Sequence, residues 1–140
     1  MSIALNIELE DELKRQAVAA YPMECCGLLF ANEGENASVS ACIPLENNAA
    51  EELAKGYYQI DPLELFRMEK EQRENGRSLV GVYHSHPDRI AIPSVSDEVG
   101  MIPGMIYLIL SASSKRCMDI RAWSKEDVTS ECREQRVNRG

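Results

Sequence analysis

The sequence predicts a mixed α/β domain of the α+β type, in which a curved, largely antiparallel sheet is flanked by two or three helices. Short apolar runs bounded by turn residues recur along the chain, and two longer segments have helical periodicity with recognisable caps. The 140 residues suit a single domain, 1–140, and a hydrophobic fraction of 44% is enough to bury a core.

Two segments carry clear helix signals. Residues 8–20 are acidic early and basic later, which suits the helix dipole, and their apolar residues are spaced for one face. Asp61 followed by Pro62 predicts a second helix start, because aspartate caps the first turn and proline is tolerated at its first position. Asn75-Gly76 predicts where that helix ends.

The remaining elements are shorter. A third helix is expected to begin at 94–97 and to close at Pro103-Gly104. From about residue 128 the chain is polar, and we expect a flexible tail there. The predicted strands cover residues 26–31, 38–44, 57–60, 78–83, 107–111 and 117–123.

The charge balance argues against two classes of partner. The formal net charge is −8, from 15 basic and 23 acidic residues. Such a surface repels phosphate backbones, and no Lys/Arg-rich stripe overcomes the repulsion, so we expect no nucleic acid. No apolar run approaches the ~20 residues that cross a bilayer, so we expect no membrane partner either.

The five cysteines indicate a reducing compartment. Their number is odd, they form no CxxC pair, and the first residues do not resemble a signal peptide, so the sequence predicts a cytoplasmic protein with free thiols. Cys25 and Cys26 allow two interpretations. A thiolate ligand or redox switch is one, and a small buried hydrophobe is the other.

The two histidines, His84 and His86, stand at the end of a predicted strand. Residues i and i+2 of a strand project to the same face, so two imidazoles can converge on one ion. Asp97, in the first turn of the next helix, offers a third ligand. Three protein ligands leave a tetrahedral Zn²⁺ one open position, as in catalytic sites, although Fe²⁺, Co²⁺ or Mn²⁺ also suits this ligand set.

The spacing around these residues matches a longer pattern. HSHP at 84–87 is followed by residues up to Pro93 and then by SVSD at 94–97, and the upstream segment PMECCG occupies 22–27. The chain therefore resembles the JAMM, or MPN-plus, metalloproteases of the Mov34 superfamily, and among them the compact bacterial members.

The resemblance implies a fold, a cofactor and a set of roles. The fold is the JAMM/MPN architecture, which is similar to that of cytidine deaminases. His84, His86 and Asp97 correspond to the ligands of one zinc ion per chain. Glu24 corresponds to the general base and Ser94 to the hydroxyl that stabilises the tetrahedral intermediate, although a helix cap is the alternative for Ser94.

The implied activity is hydrolysis of a peptide or isopeptide bond, after the C-terminal Gly-Gly of a ubiquitin-like or sulfur-carrier protein. The alternative is a non-catalytic MPN-like scaffold that binds a partner protein. Zinc deaminases and HExxH metalloproteases are excluded, because the chain has neither the HxE and PCxxC motifs of deaminases nor an HExxH motif.

Several points stay open at this level. Arg89 in the loop 88–93 is either a contact for a substrate carbonyl or carboxylate, or plain solvated surface. Whether that loop gates the site, whether the enzyme is an exopeptidase or an isopeptidase, which protein is its substrate, and its oligomeric state are not determined by the sequence.

Overall fold

The computed structural model describes residues 2–139. None of the helices in that range is long and apolar enough to cross a membrane. In chain order the elements are β1 (Ser2–Leu5), α1 (Ile7–Ala20), β2 (Cys26–Asn32), β3 (Ala41–Leu45), α2 (Pro62–Glu74), β4 (Arg77–Pro87), α3 (Val95–Val99), β5 (Ile106–Ala112), β6 (Cys117–Ser124) and β7 (Arg133–Arg139).

The strands form one curled sheet in the order β1-β7-β6-β5-β4-β2-β3. Neighbours are antiparallel in β2–β3, β2–β4, β5–β6 and β6–β7, and parallel in β4–β5 and β1–β7. The predicted fold class is confirmed. A parallel pair needs a crossover connection, and the one between β4 and β5 carries the 88–93 loop and α3.

The two long helices begin close to the predicted positions. The Asn6 side chain caps α1 by accepting from the Leu9 N–H at 2.9 Å, and Leu13 is fully buried beneath the helix. The Asp61 carboxylate caps α2 by accepting from the Leu63 N–H at 2.9 Å. The helices cover opposite faces of the sheet, so the core has two layers.

The third helix is shorter than predicted. It ends at Val99, and Gly100 caps it with an N–H bond of 3.1 Å to the Ser96 carbonyl. The expected end at Pro103-Gly104 is wrong, because Gly104 forms a separate turn with a φ of 87° before β5.

The strand predicted at 57–60 is also absent from the described structure. This stretch is held instead by a 2.7 Å bond from the Asn48 N–H to the Gln59 carbonyl and by the side chain of Asn47. Strand β4, in contrast, is four residues longer than predicted at its carboxyl end. It continues through both histidines to Pro87, which pairs with Ala112 of β5.

The expectation of a flexible tail from about residue 128 is wrong. Residues Arg133–Arg139 form β7, which lies between β1 and β6 and pairs with both. Ile3 lies opposite Val137 in the parallel ladder, and Val137 packs against the core. The sequence of β7 is polar because most of its side chains are exposed, so its strand character comes from backbone pairing rather than from alternating burial.

Candidate metal centre and active site

Strand β4 delivers the two histidines into the interior. His84 and His86 are 1% and 2% exposed, because β4 lies between β2 and β5 in the sheet. They occupy alternate positions of the strand, so both rings project from the same face. Their Nε2 atoms lie 3.1 Å apart, as the sequence predicted for two converging imidazoles.

Asp97 reaches the same point from the first turn of α3. Its Oδ2 atom lies 2.9 Å from His86 Nε2 and 3.1 Å from His84 Nε2. A capping box orients this carboxylate, because the Ser94 N–H donates to Oδ2 at 2.9 Å while the Asp97 N–H donates to Ser94 Oγ at 3.1 Å. The cap of α3 is therefore Ser94 and not the neighbouring Ser96.

The geometry of these three atoms fits a metal ion. Tetrahedral zinc with ligand bonds of about 2.0–2.1 Å separates its ligand atoms by about 3.3 Å, close to the distances between the two Nε2 atoms and Oδ2. His86 Nδ1 lies 2.8 Å from the Ile90 carbonyl, an acceptor, so Nδ1 is the donor of this hydrogen bond. The other ring nitrogen, Nε2, faces the Asp97 carboxylate oxygen, where a bound cation would take the place of a shared proton.

Electrostatics at the centre point in the same direction. Burial lowers the pKa of His84, which favours the neutral ring that ligates metals. Burial alone raises the pKa of Asp97, but hydrogen bonds with both histidines and with Ser94 hold it well below its usual range. The site thus consists of two imidazoles and one carboxylate, a donor set that suits zinc. These three residues are the group that can hold a metal within the described part of the chain.

Glu24 lies just before β2 and is 2% exposed. Its Oε2 accepts a hydrogen bond from the Arg89 guanidinium, while Oε1 is buried without a hydrogen-bond partner among the described residues. Burial raises the pKa of Glu24 to about 7, against the opposing effect of the Arg89 charge. A carboxyl group with a pKa near neutrality can both accept and release a proton at physiological pH.

The loop 88–93 is anchored beside the centre. The Asp88 N–H donates to the Ala112 carbonyl at 2.7 Å, Ser111 Oγ donates to the Arg89 carbonyl, and Trp123 Nε1 donates to the Ala91 carbonyl at 3.0 Å. With the Ile90 carbonyl bonded to His86, three successive carbonyls have partners. These bonds hold the loop beside the centre and bring the Arg89 side chain to the Glu24 carboxylate.

Two contributors to the site carry no recognisable sequence signal. Tyr58 stacks on the His84 ring, with centroids 4.4 Å apart and planes inclined by 23°. Ser85, between the two histidines, is bonded on the other side of the strand, where its Oγ accepts a hydrogen bond from the Cys25 N–H at 2.8 Å. Neither role is visible without the fold, because both partners are distant in sequence.

The two adjacent cysteines do not join the metal group. Burial raises the pKa of Cys26 to about 12 and also raises that of Cys25, so both thiols stay protonated near neutral pH. Cys26 is buried, and its Sγ lies 3.7 Å from the Leu45 carbonyl. The geometry favours the buried-hydrophobe interpretation over a thiolate ligand.

A comparison with protein families decides the relationship of the chain. The family described as prokaryotic homologs of the JAB domain matches residues 7–126. The chain belongs to this family. The resemblance to JAMM/MPN proteins drawn from the HSHP and SVSD motifs is thereby confirmed, and the matched span contains the metal group and Glu24.

Two relatives of this JAB-domain protein have named activities. The desampylase of Haloferax volcanii is 35% identical over 107 residues, which cover 76% of this chain and 73% of that protein. A probable TtuB-protein conjugate cleaving protease of Thermus thermophilus is 36% identical over 89 residues, covering 64% of this chain and 56% of that protein.

Solved structures share the fold of this JAB-domain protein. A protein of Desulfitobacterium hafniense matches with a TM-score of 0.80 at 27% identity, over 99% of this chain and 92% of that one. A protein of Salinibacter ruber matches with a TM-score of 0.73 at 28% identity, over 99% and 91%. A JAB1/MPN domain protein of Archaeoglobus fulgidus has the same fold at 17% identity, with a TM-score of 0.59 over 97% of both chains.

Proposed function

We propose that this JAB-domain protein is a zinc-dependent hydrolase that cleaves an isopeptide bond formed by a ubiquitin-like protein. The observation that carries the proposal is the convergence of His84, His86 and Asp97 on one point, with the buried carboxylate of Glu24 nearby. A structural zinc site has four protein ligands, whereas three protein ligands leave the fourth tetrahedral position open for water.

In this proposal His84, His86 and Asp97 bind one zinc ion per chain. What zinc supplies when bound is Lewis acidity, which makes water a stronger acid and polarises a carbonyl. Their own hydrogen bonds orient two of the three ligands, since the Ile90 carbonyl fixes His86 and the Ser94 N–H fixes Asp97.

Glu24 is the general base and then the general acid. Its Oε1 has no partner among the described residues, so this oxygen is available to take the proton of the attacking water. The same carboxyl group then gives the proton to the leaving amine. A pKa near 7 suits both steps, because neither protonation state is strongly disfavoured at neutral pH.

Ser94 donates to the oxyanion that develops on the scissile carbonyl. Its Oγ already accepts the Asp97 N–H, and this cap uses a lone pair but not the hydroxyl proton. Ser96 Oγ lies 3.2 Å away and offers a resting partner for that proton. The capping role therefore leaves the donor free for the reaction.

The substrate is proposed from the relatives. Desampylase and the TtuB-conjugate protease are named for removing modifier proteins from conjugates. We infer a ubiquitin-like or sulfur-carrier protein ending in Gly-Gly, because glycines lack side chains and can approach a buried centre closely. Cleavage of a conjugate makes the enzyme an isopeptidase rather than an exopeptidase.

The test combines metal analysis with a defined substrate. The probe is a Gly-Gly-ended ubiquitin-like protein from the same genome, linked by an isopeptide bond to the lysine of a fluorescent peptide. We expect about one equivalent of zinc per chain, release of the labelled peptide, and loss of zinc in His86→Ala. Full activity of the metal-free wild type would overturn the proposal.

Glu24→Gln separates the enzyme from a binding scaffold. The amide has the size of the carboxyl group but cannot accept the water proton, so zinc and substrate binding persist while hydrolysis falls below detection. Wild-type protein that binds the conjugate tightly but never releases the peptide would support the scaffold instead.

A further inference from the structure

The backbone of Glu24 is held by a segment that has neither helix nor strand. Residues 46–60 form turns and extended links between β3 and α2, and are called here the 46–60 segment. The Glu24 N–H donates to the Ala54 carbonyl at 2.8 Å, and the Glu24 carbonyl accepts from Asn47 Nδ2 at 3.1 Å. Both backbone polar groups of the proposed base are thus bonded to this one segment.

Asn47 is the hub of the segment. Besides the Glu24 carbonyl, its Nδ2 donates to the Tyr57 carbonyl at 3.0 Å. Its Oδ1 accepts from the Ala49 N–H at 3.0 Å and from the Gln59 N–H at 3.1 Å. A side-chain amide has two donor hydrogens and two acceptor lone pairs, so all four of its hydrogen-bonding positions are used, each on a backbone group.

The same bonds place an aromatic ring against a metal ligand. Tyr58 lies between Tyr57 and Gln59, whose backbones are bonded to Asn47, and its ring stacks on His84 at 4.4 Å. Ligating histidines usually anchor their second nitrogen with a hydrogen bond. His84 Nδ1 is buried without such a partner among the described residues, so the stack with Tyr58 orients this ring together with the contact between Nε2 and Asp97.

The carboxylate of Glu24 is held less firmly than its backbone. Its carboxylate is bonded to Arg89, a long side chain that is 37% exposed. An exposed arginine has many rotamers, so it constrains the carboxylate position weakly. The position of the base therefore depends mainly on where its backbone is held.

We propose that Asn47 is a positioning residue that sets the proposed base Glu24 and, through Tyr58, the ring of His84. The inference rests on the proposed function. Asn47 is not part of the His84, His86 and Asp97 group, and its side chain bonds to backbone groups. It therefore acts by holding Glu24 and His84 in position relative to each other. Catalytic groups displaced by about 1 Å lose on the order of 100-fold in rate, so the effect is large for a residue outside the reaction itself.

Two substitutions distinguish the two hydrogen bonds that the Asn47 side chain donates from the two that it accepts. Asn47→Asp has the same shape and keeps the acceptor for Ala49 and Gln59, but it cannot donate to the Glu24 and Tyr57 carbonyls. Asn47→Ala removes all four bonds. The matched control is Asn6→Ala, which removes the cap of α1 far from the site and lowers stability without touching the 46–60 segment.

The first readout is turnover of the isopeptide-linked fluorescent peptide at saturating zinc. We expect kcat on its high-pH plateau to fall roughly 10- to 100-fold in both Asn47 variants, with KM within about threefold and zinc stoichiometry unchanged. Asn6→Ala should keep kcat within about twofold of the wild-type value, even if its Tm falls as much as that of the Asn47 variants. A purely structural role for Asn47 predicts that the two asparagines behave alike.

The second readout is amide hydrogen exchange of the protein as purified, which needs no activity. In Asn47→Asp the Glu24 carbonyl is no longer held, so the bond from the Glu24 N–H to the Ala54 carbonyl should loosen and the Glu24 amide should exchange faster. The Ala49 and Gln59 amides keep their acceptor and should stay protected. In Asn47→Ala all three amides should exchange faster. Wild-type kcat in Asn47→Asp, or an unchanged Glu24 amide, overturns the proposal. If the wild type itself cleaves nothing, the proposed function fails, and the exchange pattern still decides whether Asn47 holds Glu24.

Discussion

Ser94 and Asp97 hydrogen-bond to each other in both directions, and the Asp97 oxygen that accepts from the Ser94 N–H is the same atom that faces His84 and His86. A local helix cap and a proposed metal ligand are thus parts of one structure. The cap uses the backbone N–H of Ser94 for the ligand and the hydroxyl oxygen for the helix, so the two functions can be separated by substitution.

Ser94→Ala should keep zinc but lose turnover. The backbone N–H still orients Asp97, so metal stoichiometry is retained, while loss of the oxyanion donor lowers kcat by about 10²- to 10³-fold. The lost cap also costs about 1 kcal/mol of folding free energy. Ser96→Ala is the matched control and should retain kcat. Equal losses in both variants would argue against an oxyanion role for Ser94.

Zinc should stabilise the folded protein through Asp97. At a free zinc concentration about 100 times the Kd, binding adds about 2.7 kcal/mol, on the order of 10 °C in Tm for a domain of this size. Asp97→Asn should abolish most of this shift in thermal unfolding with and without chelator. Asp119→Asn, which alters a half-exposed aspartate paired with Arg121, should keep it. An undiminished shift in Asp97→Asn would place the zinc elsewhere.

Glu24→Gln should stabilise the metal-free protein at high pH. The folded pKa of Glu24, about 7, is above the ordinary glutamate value of 4.5, so folding is not penalised below about pH 4.5. As the pH rises through 7, the buried carboxylate must ionise and the stability is lost. The advantage of Glu24→Gln over wild type should therefore grow by up to about 3 kcal/mol between pH 4 and pH 8.

Denaturant titrations of the chelated proteins at several pH values measure this difference. Glu33→Gln, at an exposed glutamate, is the control for the substitution itself. A Glu24→Gln difference that does not change with pH would show that Glu24 is not a buried acid with a raised pKa.

Arg89→Gln should move the acid limb of the kcat/KM profile to higher pH. The Arg89 charge and its hydrogen bond lower the pKa of Glu24, so their removal leaves the effect of burial less opposed and raises that pKa further. Because a base must be ionised, activity then begins to fall at a higher pH. Arg89→Lys keeps the charge and should shift the limb less. An acid limb that does not move in Arg89→Gln would show that the Arg89–Glu24 pair does not set the pKa that controls activity.

The sequence by itself determined the parts of this protein whose physics is local. His84 and His86 share a face because a strand alternates its side chains, and Ser94 and Asp97 are tied by a capping box within three residues. The caps at Asp61 and Asn75 likewise set the ends of α2 from neighbouring residues. Such signals depend on a few consecutive backbone angles, so they can be read without knowing the fold.

Only the tertiary structure decided which distant groups meet. The Arg89 contact with Glu24 and the Tyr58 stack on His84 join segments far apart in sequence. The polar strand Arg133–Arg139 is ordered by backbone pairing with β1 and β6, which leaves no periodic apolar pattern in its own residues. Long-range pairing depends on how the whole chain closes on itself, and no short window of sequence contains that information.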